Sequence, residues 1–343
     1  MKALVLEEYN HLVYKDVDDP VIKGNEVLVK VMACGICGSD VHGMDGSSGR
    51  RIPPIIMGHE ASGIIKEAGC LVKDWEIGDR VTFDSTVYPL DDWYTEKGLY
   101  NLSDNREVLG VSPGEYRRHG AFADFVAIPA HILHKIPDKV SLEHAAMVEP
   151  VAVASHAINL TNIEVGDTAL VVGAGMIGLF IIQVLRQSEV NNIIAIDLDE
   201  DKLSMASAFG ADKILIASSS DLQKEILNVT GGRGADIAFE AVGIHETVKT
   251  AIENVRKGGT VTLVGNLTPT VDLPLQSVVT QQIRLQGSCA IAGEYPQVLK
   301  MLEEKTINVD PMISAVAPLS EGASWFERLY NKEKGLKKVV LVP

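Results

Sequence analysis

The stretch Thr168-Ala169-Leu170-Val171-Val172-Gly173-Ala174-Gly175-Met176-Ile177-Gly178 determines how the rest of the chain is interpreted. It combines an apolar strand pattern with a Gly-x-Gly-x-x-Gly loop, and a helical apolar pattern follows over Leu179–Gln187. Gly173 permits a tight turn, Gly175 lets the backbone approach a pyrophosphate, and Gly178 lets the helix pack on the strand. Free N–H groups at the start of a helix favour an anion. The pattern predicts a dinucleotide-binding site.

The next strand predicts which dinucleotide is bound. It ends at Asp197, about twenty residues after the last glycine of the loop, where such sites place an acidic residue. A carboxylate there accepts hydrogen bonds from the adenosine ribose and repels a 2′-phosphate, which favours NAD over NADP. The alternative is an aspartate that only caps a helix or a loop.

The regions on either side of the loop differ in pattern. Residues 1 to about 150 carry short β-like runs between Gly and Pro residues, which predicts an antiparallel, barrel-like domain. The apolar pattern of residues 141 to 161 predicts one long helix that leads out of this domain. Apolar runs then alternate with helical patterns, which predicts a parallel doubly wound sheet. These runs are Thr168–Val172, Ile193–Asp197, Lys213–Ile216, Asp236–Glu240 and Thr260–Val264.

Composition excludes several classes of protein. The 343 residues carry a net charge of −15, which argues against nucleic acid as a partner. No run approaches the ~18 apolar residues of a membrane-spanning helix. The apolar start breaks into acids at Glu7, which is too short for a secretory signal. Four cysteines are too few for a disulfide scaffold. We therefore expect a cytoplasmic protein without a membrane partner.

Two segments of the N-terminal region carry metal-ligating residue types. They are Cys34-Gly35-Ile36-Cys37-Gly38-Ser39-Asp40-Val41-His42 and Gly58-His59-Glu60. A single Cys-x-x-Cys by itself is compatible with a redox pair, half of a zinc site, or no function. The absence of a second Cys-x-x-Cys argues against a four-cysteine zinc site, and the context differs from that of thioredoxin-like redox pairs.

Taken together, these motifs resemble those of the zinc-dependent medium-chain dehydrogenase/reductase (alcohol dehydrogenase) superfamily. Within it they are most similar to the polyol (sorbitol- or iditol-like) and threonine 3-dehydrogenase-like branch. The resemblance extends over essentially the whole chain and includes Gly78-Asp79-Arg80-Val81 and Glu149-Pro150. It implies a GroES-like β-barrel catalytic domain over residues 1–154, completed by 289–343, and a Rossmann domain over 155–288. It also implies an active site in the cleft between these domains.

The resemblance implies a catalytic zinc site formed by Cys37, His59, Glu60 and Glu149. Whether Glu60 and Glu149 ligate zinc directly or through water stays open. Asp40 matches the carboxylate that orients the ligating histidine. Ser39 matches a hydroxyl residue that passes the substrate proton on through the cofactor ribose. His42 matches the histidine at the end of that relay, with a plain surface histidine as the alternative.

The resemblance also implies the activity and further contacts. The expected reaction is reversible hydride transfer from a secondary alcohol (a polyol, sugar alcohol or vicinal diol) to NAD, giving the ketone. Alternatives are a threonine 3-dehydrogenase-like enzyme, a sugar-alcohol-phosphate dehydrogenase, or a catalytically inactive dinucleotide-binding protein. The resemblance also leads us to expect a homodimer or homotetramer. Val153 matches a residue that packs on the nicotinamide, and Lys202 matches one that contacts the adenosine ribose. Val242, Gly243 and Val264 are expected to contact the cofactor because they end strands at the carboxyl edge of the predicted sheet.

The chain departs from the family in one lobe. Many relatives hold a second, structural zinc there with four cysteines, but these positions read Pro89, Asp92, Thr95 and Ser103. We therefore expect one zinc per chain and a lobe held by packing, anchored by Tyr88, Trp93, Tyr94 and Tyr100.

The sequence does not identify the substrate. Residues expected to line its pocket lie in 39–49, 86–87, 117–119 and 290–294. Four arginines lie in the predicted loops, and their charge makes a phosphorylated substrate an alternative. We nevertheless expect all four side chains to be solvated: Arg50, Arg51, Arg117 and Arg118.

Overall fold

A computed structural model describes residues 1–111 and 118–343, so Arg117 lies outside the described residues. The chain divides into two compact units. One unit comprises Met1–Glu149 and Ile291–Pro343, and the other comprises Pro150–Ala290. The domain boundaries derived from the sequence remain a prediction, since compactness alone does not show where an independently folding domain ends.

In the described residues the elements follow one another in chain order. The strands are β1 (Lys2–Glu8), β2 (His11–Asp16), β3 (Glu26–Gly35), β4 (Ile55–Ile56), β5 (Glu60–Ala68), β6 (Arg80–Phe83), β7 (Thr86–Val87), β8 (Glu107–Val108), β9 (Phe125–Pro129), β10 (Leu133–Lys135), β11 (Thr168–Val172), β12 (Asn192–Asp197), β13 (Lys213–Ile216), β14 (Ala235–Glu240), β15 (Val255–Leu263), β16 (Arg284–Gly287), β17 (Ile313–Pro318) and β18 (Lys338–Val342). The helices are α1 (Gly38–Met44), α2 (Trp93–Glu96), α3 (Leu142–Ala145), α4 (Val148–Asn159), α5 (Met176–Leu185), α6 (Glu200–Ala208), α7 (Leu222–Val229), α8 (His245–Asn254), α9 (Leu275–Thr280), α10 (Tyr295–Glu303) and α11 (Gly322–Tyr330).

The unit that contains Pro150–Ala290 is built on a six-stranded parallel sheet. Its strand order is β13-β12-β11-β14-β15-β16, the doubly wound order in which the chain reverses direction beside the first strand. Strand β11 is fully buried because it has neighbours on both edges and apolar residues on both faces. The predicted α/β class with a Rossmann sheet is confirmed.

The other unit is centred on β3 in a seven-stranded sheet of order β10-β6-β5-β3-β18-β17, with β9 also pairing β3. Every pairing in it is antiparallel except that of β17 with β18, which is parallel. The sheet surrounds a core that includes Phe83, Phe122 and Phe326. The prediction of a mostly antiparallel domain is confirmed.

The single helix predicted between residues 141 and 161 is wrong. Two helices occupy this stretch, α3 and α4. Ser141 caps α3 by accepting a hydrogen bond from the His144 N–H. At its other end Met147 N donates to His144 O, three residues back. That tight turn ends α3 before α4 begins, and α4 carries Glu149 in its first turn.

Hydrogen bonds join Pro89, Asp92, Thr95 and Ser103, the four positions that the family resemblance aligns with structural-zinc ligands. Asp92 accepts from the Thr95 backbone N–H at 2.8 Å and from the Ser103 hydroxyl. The Thr95 hydroxyl donates to Pro89 O at 2.8 Å. A carboxylate that accepts several hydrogen bonds can join separate segments of the chain, as a structural metal ion does. Here Asp92 accepts these hydrogen bonds. This network offers one carboxylate to a metal, so the expectation of a single zinc per chain stays a prediction.

Packing supports this lobe as well, although not at every expected residue. The Tyr88 and Tyr100 rings stack at 4.1 Å, and His131 lies edge-on to Tyr88. Tyr100 also donates its hydroxyl to the buried Asp84 at 2.7 Å. Trp93, by contrast, is 62% exposed, so its predicted role as an anchor is wrong.

No helix among the described residues has both the length and the apolar character needed to cross a bilayer.

Candidate functional site

The ends of two paired strands bring the metal-ligating residue types together. Strand β3 ends at Gly35, which pairs with Glu60 at the start of β5. Cys37 follows β3 as the N-cap of α1, and His59 directly precedes β5. One potential ligand atom from each of Cys37, His59 and Glu60 lies within 4.8 Å of the others. A thiolate, an imidazole and a carboxylate form the donor set of an open zinc site.

A buried carboxylate orients the histidine of this group. Asp40 is completely buried, and its Oδ1 lies 3.5 Å from Nδ1 of His59. Burial by itself would raise the pKa of Asp40, but the positive charges of His59 and Arg51 hold it well below its usual range. Among the described residues the buried His59 Nδ1 has no hydrogen-bond partner, and Asp40 Oδ1 is the carboxylate oxygen that faces it. The residues fit a zinc ion.

The glutamate of the group has a partner that sequence reasoning missed. Lys338 Nζ lies 2.5 Å from Glu60 Oε2 and also donates to Ile36 O at 3.0 Å, and both side chains are nearly completely buried. Burial would lower the pKa of Lys338, but the charge of Glu60 raises it above its ordinary value. Gly35 leaves room for this pair, because a Cβ there would lie 2.5 Å from Glu60 Oε2.

The second predicted carboxylate is separate from this group. Glu149 lies in the first turn of α4, mostly buried, and is not among the three residues whose ligand atoms lie within 4.8 Å of one another. Loss of hydration raises its pKa to about 7, although the positive charge of His59 opposes the shift.

The predicted relay residues share one face of α1. Ser39 and His42 are three residues apart, the spacing that places helical side chains side by side, and both are exposed. Ser39 Oγ accepts a hydrogen bond from Arg51 at 3.1 Å. Arg51 is only 2% exposed, so the expectation that the loop arginines are solvated is wrong for this residue. Arg118 also departs from it by pairing with Glu26 and Glu107.

The first cysteine of the Cys-x-x-Cys pair belongs to the core. Cys34 is 1% exposed, and burial raises the pKa of its thiol well above the ordinary value. Its sulfur packs against the turn at Gly58, where a Cβ would lie 2.8 Å away. A thiol held protonated is a poor nucleophile and a poor ligand. The structure therefore separates Cys34 from the metal group.

The glycine loop of the other unit has the geometry of a phosphate cradle. Gly173 has φ +97°, and a Cβ there would meet Val242 Cγ2 at 2.4 Å. At Gly178 a Cβ would lie 1.8 Å from Gly173 O, whereas nothing lies within 4 Å of one at Gly175. Helix α5 begins at Met176 with Gly175 as its N-cap, so its free N–H groups face that open space. The residues fit a dinucleotide.

Asp197 lies where the ribose prediction requires it, at the end of β12. One carboxylate oxygen accepts from Ala174 N of the glycine loop at 2.8 Å, and the other lies 3.8 Å from Lys202 Nζ. The carboxylate is thus tied to the loop, with its charge adjacent to the proposed ribose position.

The remaining predicted cofactor contacts lie at strand ends or on α4. Val242, Gly243 and Val264 follow β14 and β15, and Val153 is half-buried on α4. Sequence reasoning missed Glu240, which is completely buried and accepts from both Val242 N and Gly243 N at 2.8–2.9 Å. The sequence did contain a signal for Glu240, because a glutamate at the end of an otherwise apolar strand is a buried charge that needs hydrogen-bond partners.

Two substitutions in the glycine loop distinguish packing from cofactor binding. We expect Gly178→Ala to lower the free energy of unfolding by about 1–3 kcal/mol, because the new methyl group overlaps a carbonyl oxygen. Gly175→Ala should fold normally and weaken NAD binding about tenfold, because its methyl group enters only the space proposed for the pyrophosphate. Thermal unfolding and calorimetric NAD titration measure the two effects. Unchanged NAD affinity in Gly175→Ala contradicts the assignment.

Comparisons with known proteins bear on both units. Residues 23–138 match the family model described as "Alcohol dehydrogenase GroES-like domain", and residues 177–304 match "Zinc-binding dehydrogenase". The chain is 32% identical to the D-arabitol-phosphate dehydrogenase of Enterococcus avium, over 94% of this chain and 91% of that protein. It is also 32% identical to the sorbitol dehydrogenase of Bos taurus, over 93% and 89%.

A solved structure extends the likeness to three dimensions. A zinc-binding dehydrogenase from Sinorhizobium meliloti 1021, bound to NADP, superposes with a TM-score of 0.91 at 29% identity. The match covers 100% of this chain and 99% of that one.

Proposed function

The chain belongs to the zinc-dependent medium-chain alcohol dehydrogenase superfamily, in its polyol branch, and on that premise we propose that it oxidises a secondary alcohol of a polyol, sugar alcohol or vicinal diol to the ketone with NAD. The observation that carries the proposal is the convergence of Cys37, His59 and Glu60 within 4.8 Å. Relatives named for polyol substrates support it, and the glycine loop supplies the dinucleotide site.

We assign the zinc ligands as Cys37, His59 and Glu60, with Glu149 as a fourth ligand that binds directly or through water. When bound, zinc acts as a Lewis acid that lowers the pKa of a hydroxyl, and the nicotinamide of NAD accepts hydride. Asp40 holds the His59 ring from its Nδ1 side. Lys338 engages one oxygen of Glu60 and leaves the other available to the metal. Glu149 supplies the second carboxylate of the set.

The alcohol must lose a proton as well as a hydride. The residues that we propose for the proton transfer lie on α1. Ser39 accepts the proton of the substrate hydroxyl while it passes on the proton that it already carries. His42, exposed one helical turn further on, delivers a proton to solvent. Oxidation releases this proton, so the chain needs such an exit on each turnover.

The cofactor set that we propose combines the glycine loop with the strand ends around it. Its members are Gly173, Gly175, Met176, Ile177, Gly178, Asp197, Lys202, Val153, Val242, Gly243 and Val264.

Asp197 is expected to set the cofactor preference. NAD should be used at least about tenfold more efficiently than NADP, because a carboxylate beside the ribose repels a 2′-phosphate. Asp197→Asn removes the charge and keeps an acceptor for Ala174 N, so it should reduce the preference while the fold is retained. The measurement is kcat/KM for each cofactor. Equal efficiency in the unmodified protein would remove Asp197 from this role.

The substrate is tested with a panel of alcohols, followed by NADH absorbance. Sorbitol, xylitol, galactitol and butanediol represent neutral polyols and diols, and galactitol phosphate and threonine represent the alternatives. We expect turnover with a neutral polyol or diol. A phosphorylated sugar alcohol is the second candidate, because one relative is named for such a substrate. Dinucleotide binding without turnover of any alcohol would indicate an inactive binding protein.

We also propose that the chain forms a homodimer or homotetramer, on the strength of its family membership. Light scattering coupled to gel filtration measures this, and a monomeric mass would contradict it.

A further inference from the structure

Arg51 occupies an unusual place for an arginine in a polar loop. It follows Ser47-Ser48-Gly49-Arg50, yet its side chain is 2% exposed, whereas that of Arg50 is exposed. The aliphatic stem packs on α1 at Gly43, where a Cβ would lie 2.4 Å from Arg51 Cγ. Burying a guanidinium costs several kcal/mol unless it is paired, so its partners identify its role.

Those partners are two neighbouring residues of the proposed reaction site. Arg51 Nη2 donates to Asp40 Oδ1 at 2.7 Å and to Ser39 Oγ at 3.1 Å. Asp40 in turn lies 3.5 Å from Nδ1 of His59 through the same oxygen, and its Oδ2 accepts from Cys37 N at 3.3 Å. One guanidinium thus contacts both the carboxylate that orients the metal ligands and the hydroxyl that accepts the substrate proton.

The contact with Asp40 supplies charge that the metal site needs. A histidine that ligates zinc is a neutral imidazole and gives the completely buried Asp40 no counter-charge. Arg51 provides that charge at 2.7 Å. Without Arg51 the Asp40 carboxylate would lose this charged hydrogen bond and would be held less firmly in its position beside the His59 ring.

The contact with Ser39 orients the hydroxyl that we propose as the proton relay. A hydroxyl has two lone pairs and one hydrogen, and a guanidinium has only donors. Arg51 therefore takes one lone pair of Ser39 Oγ and leaves one acceptor site and one hydrogen. In the oxidation the substrate O–H bond breaks as a new O–H bond forms at that acceptor site, and the original Ser39 proton passes toward solvent. Ser39 ends as a neutral hydroxyl, and the hydride pair goes to NAD.

We propose that Arg51 is a positioning residue that holds the Asp40 carboxylate in place against His59 and orients the Ser39 hydroxyl as a relay for the substrate proton. The inference has two halves. The half that concerns Ser39 rests on the proposed function, whereas the half that concerns Asp40 involves metal binding alone. The two halves need separate measurements.

The first experiment uses metal binding without turnover. Arg51→Met and Arg51→Lys are compared with Arg50→Met, a matched control that removes the adjacent exposed charge. Metal-free protein is titrated with Zn²⁺ against a chromogenic chelator, and with Co²⁺ alone for its visible spectrum. We expect Arg51→Met to bind zinc about 10–100-fold more weakly. Removal of residues that hold metal ligands in position typically weakens metal binding by this factor. Arg51→Lys should stay within about threefold of the control, because it keeps the charge.

The second experiment measures zinc-loaded enzyme. We expect Arg51→Lys to lower kcat about tenfold with little change in KM, because the lysine side chain is one atom shorter and its ammonium cannot occupy the position from which Nη2 contacts both partners. If the effect acts through Ser39, Arg51→Lys should cost little in a Ser39→Ala background, a non-additivity that a general packing defect would not produce. Arg51→Lys serves both experiments if Arg51→Met fails to fold.

Three results decide the inference. The inference is overturned if both Arg51 variants have the same zinc affinity, the same Co²⁺ spectrum and the same kcat as Arg50→Met. Additive losses in the Ser39→Ala background overturn the relay half. A protein that oxidises no alcohol, but whose Arg51→Met variant loses zinc affinity relative to Arg50→Met, refutes the proposed function and retains the metal-positioning half.

Discussion

Replacement of Cys37 by serine is expected to remove zinc and activity together. A neutral hydroxyl is a poor zinc ligand, and His59 and Glu60 alone cannot hold the ion tightly. Turnover should fall more than about 100-fold, since even outer-sphere changes cost 10–100-fold at zinc sites. Metal content by emission spectrometry and NADH formation on the same sample measure the effect. Retained zinc with retained turnover would contradict the ligand assignment.

Cys34→Ser is the matched control, because it makes the same chemical change three residues away. Cys34 is buried in the core against Gly58, outside the metal group. We expect it to keep zinc and turnover, with a modest loss of stability from burying a hydroxyl. If Cys34→Ser abolishes turnover in protein that remains folded, a redox role for the Cys34–Cys37 pair returns.

Substitution of Lys338 by methionine is expected to destabilise the metal-free protein by about 3–5 kcal/mol. The change leaves the 1% exposed Glu60 carboxylate without its partner, and an uncompensated buried charge costs this much. Zinc should restore part of the loss, because the ion supplies positive charge beside Glu60. Urea unfolding with and without zinc measures both effects.

The double variant Glu60→Gln with Lys338→Met tests the cause of that loss. Removing both charges leaves no unpaired ion, so the double variant should be more stable than Lys338→Met alone in metal-free protein. If the single variant unfolds at the same urea concentration as the unmodified protein, Lys338 does not compensate Glu60.

Local patterns predicted the nucleotide-binding unit well. Strands β11 and β13 have the bounds expected from the sequence, Thr168–Val172 and Lys213–Ile216. Apolar runs punctuated by glycine and followed by helical periodicity carry the information within a short window. The break between α3 and α4 was missed because a turn that closes three residues back leaves the apolar pattern of a helix intact.

The supporting residues of the metal group were beyond local patterns. Lys338 reaches Glu60 across 278 residues of sequence, and only the pairing of β18 with β3 brings them together. Arg51 lies in a stretch of small polar residues, where an arginine is typically solvated, and its burial depends on the room left by Gly43. Cys37, His59 and Glu60 were identifiable because their residue types and spacing resemble a known family.

Zinc titration of the metal-free protein tests the central claim most directly. NADH formation from a polyol that the panel identifies should be absent without metal, rise in proportion to added zinc, and stop rising at about one zinc per chain. That result follows from one open site at Cys37, His59 and Glu60 and a lobe joined by hydrogen bonds. Full turnover in metal-free protein, or a rise that continues to two zinc ions per chain, would contradict it.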